Sequence, residues 1–467
     1  MSLHLTQPGD SKVSFKLKPI TQNLFLAGLI STFPIGVYAA DSESELRIQK
    51  LEQQVNQLIE KLAAQSAQIN QHQEDIQETK SVTKSAVIAK SNGRSLSFES
   101  ADGAFKAQVG GRLQIDAAAH NEDEIALGDG TAFRRAFLDI RGNVYENWNY
   151  RFQYDFARPS GTGENATGAR GIRDAYIQYT GLTPAITVGQ FKQTFGLEHL
   201  TSSLNTTFIE RSLTNVFNPD RAIGLGLSHG GDNWSASAGA FGEKSEVDPG
   251  EEGNEGWGLV ARGTFNPIIE KNKLIHLGAA VLHRNPEDGQ LRFRERPEAN
   301  ISGVRLIDTG VLENVDDFQQ YGLEAAAVFG PLSVQSEYIN TRVQRASAST
   351  DLDFNAWYAY ASYFLTGESR GYKANTGTFD RVKPNSTVGQ GGIGAWELGI
   401  RYSSADLNDS SFIGGEQDNL TFGVNWYTTD NIRLSANYIK VLDVDRPGNP
   451  ADGEKPDIAL VRAQIDF

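Results

Sequence analysis

The sequence predicts an all-β protein, a sixteen-stranded antiparallel transmembrane β-barrel, preceded by an N-terminal coiled-coil helix. Segments after residue 91 alternate apolar and polar side chains, and aromatic residues crowd the apolar side. The chain has 47 Gly and no Cys, and its hydrophobic content of 39% with a mean hydropathy of −0.40 argues against a helical membrane protein. Without cysteine, disulfides, thiolate metal sites and cysteine nucleophiles are excluded. We expect a signal peptide over 1–40, a coiled coil over 41–90 and the barrel over 91–467.

The N-terminus is typical of a secretory signal peptide. Three lysines within 12–18 precede the apolar stretch 23–40, whose small residues suit cleavage near Ala39 or Ala40. A retained transmembrane anchor is the alternative reading. Pro34 and the two hydroxyl residues near it interrupt the apolar run, which favours removal.

The next segment predicts a coiled coil, because apolar residues recur every seven positions. The first seam position holds Ile48, Val55, Leu62, Ile69 and Ile76. The second seam position holds Leu51, Leu58, Gln65 and His72. Polar seam residues lower stability and fix register or oligomeric state, so we interpret His72 as a seam residue rather than a metal ligand.

Beyond residue 91 the alternation has period two, as in β-strands. In "WNYRFQYDF" (148–156) aromatic residues take every second position and polar residues the positions between. A soluble sandwich also alternates, but the charged polar faces, the strand lengths and the aromatic strand ends favour a barrel in a bilayer. The predicted strands are 104–119, 133–145, 148–158, 172–180, 184–191, 222–229, 234–243, 256–266, 272–284, 319–329, 331–344, 354–366, 393–404, 417–428, 431–443 and 456–467.

The predicted connections alternate between short turns and long loops. In outer-membrane barrels the short turns face the periplasm and the long loops face outside. An even strand count then leaves both barrel termini, and the coiled coil, on the periplasmic side. The connection 367–392 is an exception, because it is long although it falls on the short-turn side.

The formal net charge of −15 hides two opposite distributions. Acidic residues gather in predicted outer loops (121–124, 243–255 and 443–457), where we interpret them as solvated loop charge, with divalent-cation bridging to an anionic outer leaflet as the alternative. Arginines on predicted lumen faces are Arg135, Arg141, Arg151, Arg401, Arg433 and Arg462. The pattern leaves the direction of Arg112 and Arg134 open. Lumen arginines commonly pair with carboxylates; rows of them acting as an anion filter are rarer.

Several stretches together carry a family resemblance: "GGRLQID", "FRRAFLDIRG", "RDAYIQYTG", "VGQFKQTFGLEHLTSS", "FIERSLTNVFNPDR", "LRFRERPE", "YFLTGESRGY" and "RLSANY". Through them residues 91–467 resemble the phosphate-selective porin O and P family of outer-membrane channels. The resemblance implies a trimer of sixteen-stranded barrels. It also implies that inorganic phosphate or related anions pass down an arginine funnel to a narrow site, with lysines at the exit.

The resemblance implies roles for particular residues. The funnel would consist of Arg292, Arg294, Arg296 and Arg305 on the loop 285–318. The narrow site would draw on Arg112, Arg134, Arg135, Asp174 and Arg211, with 192–221 as an inward-folded constriction loop. Lys373 and Lys383 would be the exit lysines. His199 stands where the family pattern leads us to expect a fixed cation, so its charge would vary with pH.

The chemistry of such a site is consistent with oxyanion transport. Arginine offers several fixed donors and stays charged at any working pH, so it can replace the hydration of phosphate. Asp174 would accept a hydrogen bond from the protonated oxygen of hydrogen phosphate and offset the arginine charge. The site would then hold the ion without trapping it.

The sequence therefore predicts a passive porin for phosphate or related small oxyanions such as pyrophosphate or polyphosphate, in the bacterial outer membrane, without cofactor, metal or nucleic acid. A general or differently selective porin of the same family is the alternative. A barrel phospholipase would need a Ser/His pair on the lipid-side rim, which the seven histidines do not supply. A tether, with the coiled coil contacting the cell wall, is compatible with transport.

Overall fold

The computed structural model describes residues 42–84, 87–91, 95–157, 171–242, 255–346, 349–410 and 412–467. The expected signal peptide and nearly all of the acidic segment 243–255 lie outside these ranges. The chain forms two compact units, divided between residues 78 and 79.

The N-terminal helix α1 extends from Ser42 to Lys84. Its predicted first-seam residues are between 49% and 62% exposed, so nothing within the described chain covers the seam. The predicted coiled coil extends to residue 90, but the helix ends at Lys84. A β-strand begins at Val87, where the spacing of apolar residues is no longer that of a helix. Among the described residues, no helix combines the length and apolarity needed to cross a membrane.

The strands are numbered in chain order. They are β1 (Val87–Ser91), β2 (Leu96–Ser100), β3 (Phe105–Asn121), β4 (Gly130–Val144), β5 (Trp148–Asp155), β6 (Ile172–Tyr179), β7 (Ala185–Lys192), β8 (Arg221–Gly230), β9 (Trp234–Gly242), β10 (Trp257–Glu270), β11 (Lys273–Asn285), β12 (Arg294–Glu295), β13 (Ile307–Asp308), β14 (Val315–Phe329), β15 (Leu332–Arg345), β16 (Leu352–Phe364), β17 (Tyr372–Lys373), β18 (Thr378–Phe379), β19 (Ala395–Asp409), β20 (Phe412–Tyr427), β21 (Ile432–Asp445) and β22 (Asp457–Asp466).

Sixteen of these strands close into an antiparallel barrel, which confirms the predicted fold class. The ring consists of β3–β11, β14–β16 and β19–β22, and it closes where β22 pairs with β3 from Asp457↔Asn121 to Asp466↔Arg112. Where the pairing with β22 ends, β2 becomes the partner of β3, with Leu96 opposite Val109. Closure pairs every strand on both edges, as a barrel in lipid requires.

Side chains alternate between the lumen and the outer surface as the sequence pattern predicts. Along β21, Leu434 and Tyr438 are exposed on the apolar side, whereas Arg433 and Asn437 are buried on the other. The predicted lumen arginines Arg401 and Arg462 are likewise buried, at 1% and 2% exposure. The barrel therefore has an apolar outer surface and a polar interior.

One hairpin differs from the predicted strand boundaries. The sequence pattern predicts a loop between 404 and 417, but β19 continues to Asp409 and β20 begins at Phe412. Carboxylates such as Asp406 and Glu416 occupy one face there, so this face lacks the apolar residues by which a membrane-facing strand is predicted. Ala405 and Leu407 on the other face are fully buried, which keeps the segment in the sheet.

Candidate functional site

Three connections fold into the barrel. Inner loop 1 (193–220, between β7 and β8) contains one turn of α-helix, α2 (Leu197–Leu200), and a 3₁₀ helix (Leu213–Phe217). Lumen-facing side chains of distant strands hold it: Arg433 Nη1 donates to the Thr206 carbonyl (2.7 Å) and Arg462 Nη1 donates to the Ile209 carbonyl (2.6 Å). The expected inward fold of 192–221 is therefore present.

Glycines in the wall let inner loop 1 approach closely. Gly399 and Gly423 are paired across β19 and β20, and a Cβ on either would lie 3.1–3.2 Å from the Phe208 ring. The Arg401 guanidinium covers the same ring at 4.4 Å. Larger residues at the two glycine positions would push the loop toward the open part of the lumen.

Inner loop 2 (286–314, between β11 and β14) is anchored by a buried carboxylate. Glu298 receives hydrogen bonds from Ser403 and from Thr421 Oγ1 (2.5 Å), and it forms an ion pair with Arg401 Nη2 (2.6 Å). Phe293 packs edge-on against Phe217 of inner loop 1, with ring centroids 5.2 Å apart. The two inner loops therefore form one packed insert.

The inner connection (365–394, between β16 and β19) folds into the end of the barrel opposite to the one that inner loops 1 and 2 enter. Arg262 Nη2 donates to the Gly377 carbonyl (2.8 Å), and His276 Nδ1 lies 2.5 Å from the Tyr372 hydroxyl. Arg370 lies 3.6 Å from the centre of the Phe379 ring. The long connection that broke the short-turn pattern is thus folded back against the barrel wall.

A cavity of about 930 Å³ remains open along the wall formed by β3–β9. Its charged lining comprises the cations Arg112, Arg134, Arg135, Arg151, Arg173, Lys192, Arg211, Arg221, Arg262 and Lys373 and the carboxylates Asp155, Asp174 and Asp220. Cations predominate in this lining, although the whole chain is acidic. Within the described ranges, no cluster of three or more His, Asp or Glu side chains could hold a metal ion.

A β-bulge places two consecutive arginines in the cavity. β3 pairs Gln114 with Arg135 but the next residue, Ile115, with Phe133, so Arg134 is the extra residue of β4. An extra residue breaks the strict alternation and turns a side chain that would face outward. Both Arg134 and Arg135 therefore line the cavity, which settles the direction that the sequence pattern left open.

Several lining cations are neutralised by carboxylates. Arg134 forms a bidentate pair with Glu210 of inner loop 1, at 2.8 and 3.0 Å. Asp174 bridges Arg221 Nε (2.6 Å) and Arg151 Nη1 (2.8 Å). Asp174 is therefore already engaged by two guanidinium groups, rather than standing free to receive a protonated oxyanion.

Four other lining cations are held by neutral groups alone. Arg112 Nη1 donates to Ser203 Oγ (2.7 Å), and Arg135 Nη1 donates to Gln114 Oε1 (2.9 Å). Lys192 donates to the His199 carbonyl. Arg211 donates to the carbonyls of Glu198, His199 and Thr201 at 3.0–3.1 Å. Within the described chain, none of the four forms an ion pair with a carboxylate, so their charge is available to an anion. We call Arg112, Arg135, Lys192 and Arg211 the cation cluster.

The predicted funnel arginines lie on inner loop 2 and do not line this cavity. Arg292 is paired with Asp308 (2.6 Å), and Arg296 Nε donates to the Ser302 carbonyl (2.9 Å). Burial lowers the pKa of Arg305, and the charges of Arg296 and Arg294 lower it further. Arg294 and Arg296 therefore lie close enough to Arg305 for their positive charges to act on it, whereas Asp308 neutralises Arg292.

The two predicted exit lysines are in different settings. Lys373 lines the cavity but is paired with Asp380 (2.9 Å). Lys383 is exposed and does not line the cavity. The structure therefore does not bring the two lysines together in this cavity.

The sequence pattern did not assign Lys192, Arg151 or Arg221 to this site, although it placed Arg151 on a lumen face. The predicted strand ends at 191, and Lys192 falls only within the segment 192–221 that is expected to fold inward, without a role of its own. The strand ends at Lys192, and the chain then turns inward, which carries the side chain into the cavity. A lone lysine between a strand and a long loop was the available signal.

His199 lies in the cavity wall beside the cation cluster. The residue is 6% exposed, and neither ring nitrogen has a hydrogen-bond partner among the described residues. Burial lowers the pKa of the imidazole well below its usual value, and the charges of Lys192 and Arg211 lower it further. The imidazole is therefore neutral near physiological pH, instead of changing charge there.

We expect His199→Gln to leave the pH dependence of anion selectivity unchanged between about pH 8 and pH 6, the range in which an ordinary histidine titrates. A base with a lowered pKa is already deprotonated across that range. Reversal potentials in a salt gradient, measured for both proteins at several pH values, check this. A pH response that disappears in the variant would contradict the neutral assignment.

A closed barrel with an apolar outer surface and a lumen narrowed by inner loops defines an outer-membrane channel of the porin class. The chain belongs to the family Phosphate-selective porin O and P, whose model matches residues 107–467. It is 28% identical to Porin O of Pseudomonas aeruginosa over 82% of this chain and 92% of that protein. It is 32% identical to an uncharacterized protein of Caulobacter vibrioides over 79% of this chain and 75% of that one. Among solved structures, an anion-selective porin from Comamonas acidovorans superimposes with a TM-score of 0.47 and 15% identity, over 78% of this chain and all of that one.

Proposed function

We propose that this chain forms a passive, cofactor-free channel for phosphate or related small oxyanions such as pyrophosphate or polyphosphate. The observation that carries the proposal is the cation cluster, four positive side chains whose partners are carbonyl, hydroxyl and amide groups. A dehydrated oxyanion needs fixed donors to replace its water, and guanidinium groups supply them. Ser203, which binds Arg112, adds a hydroxyl at the same place.

The proposal includes the arrangement in the cell. Residues 1–40 are the signal peptide, 41–90 a periplasmic coiled coil that could also contact the cell wall, and 91–467 the barrel. The barrels assemble as homotrimers, for which the exposed heptad seam of α1 is the supporting observation. The chain catalyses no reaction; members of its family are channels.

Planar-bilayer recording of the purified protein tests the transport proposal. Inorganic phosphate is titrated against a chloride current, and reversal potentials are measured in salt gradients. We expect anion selectivity and a saturable block of the chloride current by phosphate. An unselective channel without block would overturn the proposal.

A general porin of the same family is the second candidate, and the ion pairing favours it. Arg134, Arg151 and Arg221 all lie against carboxylates, which reduces the positive electrostatic field of the cavity lining. Such a channel would give a weak anion preference and no saturation. The same recording therefore separates the two candidates.

We expect Arg305→Gln to reduce anion selectivity at low salt more than Arg292→Gln does. The Arg305 side chain donates only to a backbone carbonyl (3.1 Å), so its charge is not offset by an ion pair among the described residues, whereas Asp308 offsets Arg292. The difference should disappear near 1 M salt, where the screening length falls to about 3 Å. Reversal potentials at two salt concentrations check this, and equal losses for both variants would contradict it.

A further inference from the structure

A buried carboxylate of the barrel wall holds the helical turn of inner loop 1. Glu337 of β15 is 3% exposed and accepts hydrogen bonds from the backbone N–H groups of Leu197 (2.7 Å) and Glu198 (2.6 Å), the first two residues of α2. The Tyr358 hydroxyl donates to the same carboxylate (2.5 Å). Each oxygen of Glu337 therefore has a backbone donor. An amide in its place would turn an NH₂ group toward one of the two N–H groups, because it has only one acceptor oxygen.

The other end of α2 orients two members of the cation cluster. Lys192 donates to the His199 carbonyl, and Arg211 donates to three carbonyl groups at the end of the same turn, at 3.0–3.1 Å. Backbone hydrogen bonds of 2.9 and 3.0 Å close this turn between residues 196 and 201. Because a single turn of backbone connects Glu337 to both cations, the orientation of that turn decides where the two charges point.

The segment that carries Arg211 is joined to α2 by further contacts. Ser212 donates through its N–H (3.0 Å) and its hydroxyl (2.8 Å) to the Glu198 carboxylate. The Leu197 side chain is fully buried in an apolar cluster that includes Phe379 of the inner connection. This part of inner loop 1 is therefore one packed unit, and the hydrogen bonds to Glu337 connect it to β15.

Glu337 is not itself a lining residue of the cavity. Its negative charge makes the potential near the cation cluster less positive, so removal of the charge alone would strengthen the binding of an anion. A role in positioning predicts the opposite effect, since release of α2 would let the side chains of Lys192 and Arg211 turn away from the cavity. The direction of the change therefore separates the two roles.

We propose that Glu337 is a positioning residue of the anion site, which acts through α2 on Lys192 and Arg211. The carboxylate holds the turn in place, so that both charges are fixed at the cavity before an anion arrives. Donors that are already in place bind an anion more tightly than donors that must first be ordered. This inference deepens the proposed transport function and rests on it.

Two variants of the full-length channel test this role. Glu337→Gln keeps the size of the side chain and loses an acceptor, whereas Glu337→Asp keeps the charge and withdraws the carboxylate by one methylene group. Glu397→Gln is the matched control. Glu397 is another buried carboxylate of the wall that accepts from three neutral donors, none of which belongs to α2: Thr207 of inner loop 1 (3.3 Å), Asn425 (2.9 Å) and Tyr427 (2.9 Å). Titration of inorganic phosphate against chloride current in planar bilayers gives the block constant of each protein.

We expect both Glu337 variants to weaken phosphate block by about tenfold, the lower end of the loss from one charged hydrogen bond. Glu397→Gln should be blocked as the wild type is. Unchanged or stronger block in the Glu337 variants, or equal weakening in Glu397→Gln, would overturn the positioning role.

Heat-modifiable migration on gels shows whether each variant forms a barrel, and Glu337→Asp decides the test if Glu337→Gln does not fold. A wild-type channel that phosphate does not block would overturn the transport proposal itself. A wild-type channel that is blocked, with Glu337 variants blocked to the same degree, would overturn the inference about Glu337 alone.

Discussion

Replacing Lys192 by glutamine is expected to weaken phosphate block of the channel by about ten- to a hundredfold. A hydrogen bond from a charged donor contributes about 1.5–3 kcal/mol, and each 1.4 kcal/mol is about a tenfold change in affinity. The Lys192 ammonium lines the cavity, and its one partner among the described residues is the His199 carbonyl. Glutamine can keep that hydrogen bond while the positive charge is lost.

Lys373→Gln is the matched control for this prediction. Lys373 lines the same cavity, but Asp380 neutralises it at 2.9 Å, so its removal should change block little. Titration of phosphate against chloride current in planar bilayers gives the block constant of each variant. Equal effects of the two substitutions would show that the free charge at Lys192 is not what binds the anion.

Arg401→Met is expected to release both inner loops and to open the lumen. The Arg401 side chain is 1% exposed and contacts two buried carboxylates, Glu298 of inner loop 2 (2.6 Å) and Glu198 of inner loop 1 (3.2 Å). Removing one partner of a buried ion pair costs about 3–5 kcal/mol, because the remaining charge is uncompensated. The barrel wall itself does not depend on this contact, since its strands pair through backbone hydrogen bonds.

The expected readouts are a larger single-channel conductance, a weaker anion preference and faster proteolysis within 193–220 and 286–314. Heat-modifiable migration on gels shows whether the barrel still forms. The triple variant Arg401→Met, Glu198→Gln and Glu298→Gln serves as the compensating control, because it removes the unpaired charges together. Wild-type conductance of Arg401→Met would contradict the anchoring role.

The predicted strands agree with the structure because lipid excludes polar side chains from the outer face of a strand. A polar residue on the outer face meets hydrocarbon, so alternation is strict wherever the wall faces the bilayer, as between Trp396 and Tyr402. Above the bilayer that constraint disappears. Asp406 and Glu416 are tolerated on an outer face there, and the sequence pattern missed the end of the hairpin for that reason.

The site was harder to predict than the wall, because its electrostatics depend on residues far apart in the chain. Arg134 is neutralised by Glu210, 76 positions away, and Arg462 by Asp116, 346 positions away. Neither ion pair can be predicted from the periodicity of the sequence. The family resemblance proposed Arg112, Arg135 and Arg211, but not that these differ from Arg134 in having no carboxylate partner.

The sequence by itself determined the barrel, the strand count and the segments that connect the strands, because period-two alternation and connection length are local properties. Only the tertiary structure decided which lining cations remain uncompensated, since charge neutralisation depends on distances of a few ångströms between side chains of different loops and strands. The bulge that turns Arg134 inward and the chain reversal that brings Lys192 into the cavity are of the same kind. Both arise where pairing between strands, rather than the pattern within one strand, sets the direction of a side chain.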